Sequence, residues 1–257
     1  MKKPGKLLKL ELRSEIYRRR FLVPNLVTIG SLFCGFLAII YGSSDRFFKG
    51  VVAIGLAILL DGLDGRVARR LNATSKFGVE FDSFSDFVSF GIAPAVLMYY
   101  WCFKLPADEF GVFVCFLYVL AAATRLIRFN LDQNTLYSFK GLPSPAAAGL
   151  LAAIINFYPH QTNSLLTAGV SSAITLSAAF LMIAPLEYYS IKGLKIGKIP
   201  VQGIILLGAL IALTWYSAKI GFLLLAVSYS FSAPFLLLYK RFFKKGKTQE
   251  ANKKISS

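Results

Sequence analysis

The chain has 257 residues, 56% of them hydrophobic and 16% charged, with a mean hydropathy of +0.59. These values exclude a disordered chain and lie above those of an ordinary water-soluble domain. The formal charge of +16 would suit nucleic acid, but Lys and Arg are distributed as in a membrane protein, so the expected fold is an all-α, polytopic transmembrane helical bundle that binds no nucleic acid.

Residues 1–20 are basic, with Leu7, Leu8, Leu10, Leu12 and Ile16 among the lysines and arginines. The pattern fits an amphipathic helix on an anionic leaflet and equally a solvated arm that sets topology. The first apolar run is too long, and too poorly followed by a small-residue cleavage site, for a removable signal peptide; it is expected to be retained. Pro24 falls near the start of that span, where a missing N–H costs little. Crossing a bilayer takes about 20 apolar residues. Eight segments qualify, at about 22–41, 47–65, 82–102, 110–129, 144–159, 165–187, 199–217 and 220–240.

With a cytoplasmic start, the inside segments hold Arg66, Arg69, Arg70, Lys76, Arg125, Arg128, Lys140, Lys192, Lys195, Lys198 and the basic tail. The outside segments hold only Arg46, Lys49, Lys104 and Lys219. This asymmetry predicts cytoplasmic N- and C-termini. The expected organisation is a basic segment at 1–20, one transmembrane domain at 21–240 and a disordered basic tail at 241–257. Cys34, Cys102 and Cys115 lack metal-ligand spacing and read as small buried hydrophobes. A disulfide between Cys102 and Cys115, which flank a short outer loop, is possible, but the base rate for such pairs favours free thiols.

The chemistry lies between the second and third spans. Asp61, Asp64, Asp82 and Asp86 sit in or near apolar helices, where an aspartate near the centre of a span costs roughly 2.5–3.5 kcal/mol. At 100° per residue, Asp61, Asp64, Gly65, Ala68 and Arg69 share one side of a helix. After a polar break at 72–75, Gly78, Asp82, Ser85, Asp86 and Ser89 share one face of the next. Glu80 falls outside that stripe, so the spacing, not acidity alone, selects the face. A short connection lets the two helices pack antiparallel with their aspartate faces opposed. Four converging carboxylates suit two divalent cations, Mg²⁺ or Mn²⁺, at a phosphoryl-transfer site. Gly65, Ala68 and Gly78 leave room for a phosphate or nucleotide, and Arg69 has the donor fork for a diphosphate. The competing reading of the small residues is close helix packing.

The pattern Asp61-x-x-Asp64-Gly65-x-x-Ala68-Arg69 followed by Gly78-x-x-x-Asp82-x-x-x-Asp86 resembles the signature of the CDP-alcohol phosphatidyltransferase family. That resemblance implies a homodimeric membrane enzyme. Its aspartates would bind two divalent cations, with Asp86 as general base on the acceptor hydroxyl, and Gly65, Ala68, Arg69 and Gly78 would hold the CDP moiety. Asn25 and Thr28, at the matching end of the first span, are candidates to line the nucleotide side, with helix capping as the competing reading.

The motif fixes the donor half better than the acceptor. The text around Pro24-Asn25 and Cys34-Gly35-Phe36, the run from Phe77 to Pro94, Arg125-Leu-Ile-Arg128-Phe-Asn130 and Gly141-Leu-Pro143-Ser-Pro145 is similar to the phosphatidylserine synthase branch. Eight spans also fit that branch better than a six-span core. Arg125, Arg128, Asn130 and Lys140 could hold a serine carboxylate, against the competing reading of ordinary inside charges. The expected reaction transfers the phosphatidyl group of CDP-diacylglycerol to the hydroxyl of L-serine, giving phosphatidylserine and CMP in the cytoplasmic membrane of a prokaryote, at a site facing the cytoplasm. Glycerol phosphate or an inositol phosphate is the nearest alternative acceptor, and a divalent-cation transporter is the distant alternative. His160, the sole histidine, falls in an outer loop without an H-x-K motif, which speaks against a covalent phosphatidyl-histidine route.

Overall fold

The computed structural model describes residues 4–71, 75–131, 139–188 and 217–235. The expected span at 199–217 lies almost wholly outside them, as does the basic tail. Seven helices are present in the described residues: α1 (Pro4–Ser43), α2 (Phe47–Arg70), α3 (Lys76–Phe103), α4 (Asp108–Leu131), α5 (Ser144–Phe157), α6 (Leu165–Ile183) and α7 (Ala218–Phe235). Five of them, α1 from Val23 onward, α3, α4, α6 and α7, are long and apolar enough to cross a membrane. Their outward faces carry large apolar side chains such as Leu26, Phe33, Phe113, Phe116 and Phe180, as expected where lipid replaces water around a helical bundle. The chain is an all-α membrane protein.

The helix of the first span does not begin at Pro24. Its backbone is helical from Pro4 through that residue, and only the apolar part starts there. α1 lies against α2 along its length and also against successive parts of α3, while α2 packs on α5 and α4 on α6. α2 and α3 oppose their aspartate faces, as the spacing predicts, and α1 is a wall that both share.

Two residues of α1 make that arrangement specific. The Ser31 hydroxyl donates to the Ala57 carbonyl of α2 at 3.1 Å, and the Ser31 carbonyl accepts from the Ser89 hydroxyl of α3 at 3.1 Å. One turn earlier, the Thr28 hydroxyl lies 3.0 Å from an Asp64 oxygen of α2, and its carbonyl accepts from Ser85 of α3 at 3.3 Å. Thr28, Ser31, Ser85 and Ser89 are all buried. Such hydroxyls in a membrane helix commonly bond to their own preceding turn; across helices they contribute roughly 0.6–2 kcal/mol each. Close approach makes the bonds possible. A Cβ added to Gly35 would lie 2.5 Å from Ser89 Oγ and 2.7 Å from its Cα.

α3 is not uniformly α-helical. It runs as α over Lys76–Asp86, as π over Phe87–Ile92, as α over Ala93–Met98 and as π again over Tyr99–Phe103. The first π segment begins at the residue after Asp86. The Tyr118 hydroxyl of α4 donates to the Phe90 carbonyl within it at 3.0 Å, supplying a partner where the helical ladder is locally rearranged. Phe90, Leu97, Met98, Phe103, Tyr118, Leu150, Leu151 and Met182 form the fully enclosed core. Cys102 and Cys115 are both buried free thiols.

The ends of the bundle are tied by short connections. Phe139–Lys140 pairs antiparallel with Glu187–Tyr188, Lys140 opposite Glu187. Gly141 follows with a φ of +90°, and a Cβ there would run into the Met182 carbonyl. Only glycine fits such a position without strain. At the other end, Trp101 Nε1 donates to the Tyr158 carbonyl at 2.8 Å and the Thr162 N–H to the Trp101 carbonyl at 2.9 Å. His160 is exposed in that loop with its ring against Tyr158, far along α3 from the aspartates.

Candidate active site

The last turns of α2 and the first turns of α3 supply the carboxylates. Asp61, Asp64 and Asp82 offer oxygen atoms that all lie within 4.8 Å of one another. Asp86 joins them as the side-chain neighbour of Asp61, as Asp82 is of Asp64. Asp64 is the most buried, at 4% exposure. Thr28 holds its Oδ2, and the N–H of Gly65 donates to its Oδ1. Asp82 Oδ1 is buried without a hydrogen-bond partner.

Carboxylates this close repel when ionised, and a buried, unpaired carboxylate oxygen carries a full desolvation cost. A hard divalent cation takes oxygen ligands and removes both penalties at once. The residues present therefore fit such cations. Their spacing on two helices, with one oxygen left without a protein donor, is the arrangement a cation would complete.

The small residues border this cluster. A Cβ at Gly65 would meet nothing within 4 Å, so the space beside Asp64 is open. A Cβ at Gly78 would lie 3.3 Å from Asn25 Oδ1 and 3.1 Å from Ser75 Oγ, which brings Asn25 of α1 beside the first turn of α3. Ser75 is the N-cap of α3 and accepts from the Gly78 N–H at 2.9 Å, satisfying one of the helix's free donors. Ala68 is half-buried, and Arg69 is exposed with its Nε donating to the Gly65 carbonyl at 2.9 Å. Its two terminal nitrogens have no hydrogen-bond partner among the described residues.

The cationic candidates of α4 divide. Arg125 reaches toward the cluster: Asp86 is its strongest electrostatic partner, and Asp61 is also within its field. Its Nη1 donates to Ser144 Oγ at 2.7 Å, and its Nε is buried without a partner. Arg128 instead donates to the Ile183 carbonyl at 2.7 Å, at the end of α6, a favourable place for a cation. Asn130 donates to Ser83 Oγ at 3.0 Å, linking α4 to the residue next to Asp82. Lys140 lies in the strand pair. The participants not singled out by motif spacing are Ser75, Ser83 and Ser144. A serine N-cap before Lys76 and a serine between two prolines at 143–145 are the signals that point to Ser75 and Ser144; Ser83 has none.

The hold of Thr28 on Asp64 predicts a measurable effect. Thr28→Val keeps the shape and removes the donor; Mn²⁺ binding is expected to weaken about 10- to 100-fold, as for other groups that orient metal ligands. Thr28→Ser should recover most of it. Wild-type Mn²⁺ dependence in Thr28→Val would leave Thr28 with a packing role alone.

Fold and site define a class of protein: a helical membrane protein with a four-carboxylate centre fitted to divalent cations. The family model for CDP-alcohol phosphatidyltransferase matches residues 21–184, and the chain belongs to that family. It is thus a membrane transferase of phospholipid biosynthesis. Similar proteins include the CDP-diacylglycerol–serine O-phosphatidyltransferase of Helicobacter pylori, 39% identical over 183 residues covering 68% of this chain and 75% of that protein. The enzyme of the same name from Bacillus subtilis is 34% identical over 66% of this chain and 91% of its own length. The one from Methanocaldococcus jannaschii is 33% identical over 66% of this chain and 75% of its own.

Proposed function

We propose that the chain is a CDP-diacylglycerol–serine O-phosphatidyltransferase, acting by direct attack of the serine hydroxyl on the phosphorus bonded to diacylglycerol. The observation that carries the reading is the meeting of Asp61, Asp64, Asp82 and Asp86 at one end of the bundle beside the open space at Gly65. The names of the relatives support the choice of donor and acceptor.

In this reading Asp61, Asp64, Asp82 and Asp86 hold two divalent cations, Mg²⁺ or Mn²⁺. When bound, these neutralise the diphosphate and make its phosphorus more electrophilic. Gly65, Ala68 and Gly78 admit the CDP moiety close to the backbone, with Asn25 beside Gly78, and Arg69 donates its terminal nitrogens to the diphosphate. Thr28 acts on the nucleotide side by fixing Asp64. Asp86 takes the proton of the serine hydroxyl. The new bond joins serine oxygen to phosphorus; the bond from that phosphorus to the bridging oxygen of CMP breaks, and the electron pair leaves on CMP. Arg125 faces the serine carboxylate, Asn130 and Lys140 are further candidates to hold it, and Arg128 steadies the end of α6.

We read residues 21–240 as one catalytic domain flanked by the basic segments 1–20 and 241–257, with both termini and the site on the cytoplasmic face of a prokaryotic inner membrane. The resemblance to the family supports a homodimer.

The test is CMP release by the purified protein from CDP-diacylglycerol with Mn²⁺ or Mg²⁺, offering L-serine, glycerol 3-phosphate and inositol 1-phosphate separately. Release is expected with serine alone, with phosphatidylserine as the lipid product. Asp61→Asn and Asp82→Asn should each lose turnover together with metal-dependent CDP-lipid binding. Release with a phosphorylated acceptor instead would discard serine as the substrate.

A further inference from the structure

The aspartates occupy one end of α3 and Trp101 the other, 15 residues past Asp86 and so on the order of 20 Å away at the helical rise. There α5, α6 and α7 enclose, with Trp101, a cavity of about 770 Å³, a size usual for small-molecule sites. Leu150 and Ile154 of α5, Ile174 of α6 and Val227 and Phe231 of α7 line it. Leu150 with Ile154, and Val227 with Phe231, are each one turn apart, so the cavity runs along the helices. Phe157, Leu224 and Phe231 line it and are also exposed. It therefore opens on the apolar flank of the bundle.

The mouth is polar and fixed. Gln161, Thr162 and Asn163, from the loop between α5 and α6, line it beside Trp101. Trp101 Nε1 donates to the Tyr158 carbonyl at 2.8 Å, the Thr162 N–H to the Trp101 carbonyl at 2.9 Å and Gln161 Nε2 to the Tyr100 carbonyl at 3.3 Å. The loop is thus clamped to the end of α3, and the cavity is preformed, which lowers the cost of binding. The Thr162 hydroxyl is buried without a hydrogen-bond partner among the described residues, an arrangement that costs free energy until a partner meets it. No Lys, Arg, Asp or Glu lines the cavity among the described residues.

Each of these features selects a class of ligand. Apolar walls open on the flank of a membrane span admit a hydrocarbon chain. An unpaired hydroxyl at the mouth suits an ester oxygen, and walls without a cation give an anionic headgroup no counterion. We propose that the cavity is a lipid site separate from the carboxylate centre, whatever reaction the carboxylates perform. It holds one chain of a glycerolipid without net headgroup charge, with an ester oxygen accepting from the Thr162 hydroxyl.

The test is tryptophan fluorescence of the full chain in proteoliposomes. The chain has two tryptophans, and Trp215→Phe leaves Trp101 as the sole reporter. Trp101 is 3% exposed, so lipid around the bundle does not touch it, whereas a chain in the cavity does. In phosphatidylcholine brominated along its chains, Trp101 emission is expected to fall by about half or more relative to unbrominated vesicles, because a bromine in van der Waals contact quenches the indole. Ile154→Phe fills the cavity and should restore the emission; Val227→Phe carries the same test from α7 if the first variant does not fold. Brominated phosphatidylglycerol, as a minor component of plain vesicles, should quench less than brominated phosphatidylcholine at the same fraction. Equal emission in brominated and plain vesicles, or quenching that survives filling of the cavity, overturns the lipid site. Equal quenching by the two headgroups overturns its selectivity for an uncharged one.

Discussion

Asp86→Asn is expected to lower serine-dependent CMP release by about 10²- to 10⁴-fold, the range over which a positioned general base contributes, while CDP-lipid binding with Mn²⁺ falls far less. The reasoning rests on where Asp86 sits. Asp61, Asp64 and Asp82 have oxygens within 4.8 Å of one another, so a cation held by those three survives the loss of a charge at the fourth. Asp86 has Asp61 as a neighbour and is the strongest electrostatic partner of Arg125. In the proposed reaction it borders the acceptor. An amide is nearly isosteric and still offers an oxygen, but it cannot accept the proton. Equilibrium binding of a CDP-lipid, measured beside turnover, separates the two roles. Near-normal turnover in Asp86→Asn would remove it as the base; loss of binding equal to that of Asp82→Asn would make it chiefly a ligand.

Gly35→Val is expected to disable the protein from a position that carries no chemistry. The added Cβ would lie 2.7 Å from a backbone atom of Ser89, so no rotamer change can relieve it and α1 must move away from α3. Overpacking of this kind costs typically 1–3 kcal/mol. The displacement also stretches the Ser85-to-Thr28 and Ser89-to-Ser31 bonds, which set α3 relative to α1 and thereby Asp82 and Asp86 relative to Asp64. A misplacement of about 1 Å at a reacting centre can cost 10²-fold. We therefore expect a lower Tm in detergent and a loss of turnover of that order. Gly55→Ala is the control: a Cβ there meets nothing within 4 Å, and its Tm and turnover should match wild type. Full activity in Gly35→Val would mean that the close crossing does not set the site.

The sequence makes the carboxylate cluster legible because four costly residues recur at helical spacing in otherwise apolar helices, and few physical reasons other than a ligand keep them there. The broad architecture is legible for the same reason that lipid admits few backbones. What it leaves hidden is how the two aspartate helices are joined. The opposed aspartate faces of α2 and α3 follow from their spacing, but most of the packing of each is on α1, and the residues that do the joining there are ordinary hydroxyls. Thr28 and Ser31 use hydroxyl and carbonyl toward different helices, and neither periodicity nor hydropathy distinguishes such a serine from one bonded to its own turn. Arg128 and Asn130 show the same limit. A cation and an amide near a helix end have the same spacing whether they meet a substrate, the Ile183 carbonyl or Ser83.

The π segment at Phe87–Ile92 has a bearing on how this span tolerates change. A π turn accommodates more residues per turn than an α turn, at the expense of poorer local hydrogen bonding. Excising one residue there would let the backbone relax into a regular ladder and in that narrow sense improve it. Because the wide turn takes up about one extra residue for the same rotation, that excision would leave Asp82 and Asp86 in phase with Leu97 and Met98, whereas a deletion in the α-helical stretch between Asp82 and Asp86 would swing one carboxylate by about 100° against the other. The span thus carries slack at Phe87–Ile92 and none between its aspartates, so two deletions that look alike in a hydropathy trace would differ in whether the acidic half of α3 keeps its partners.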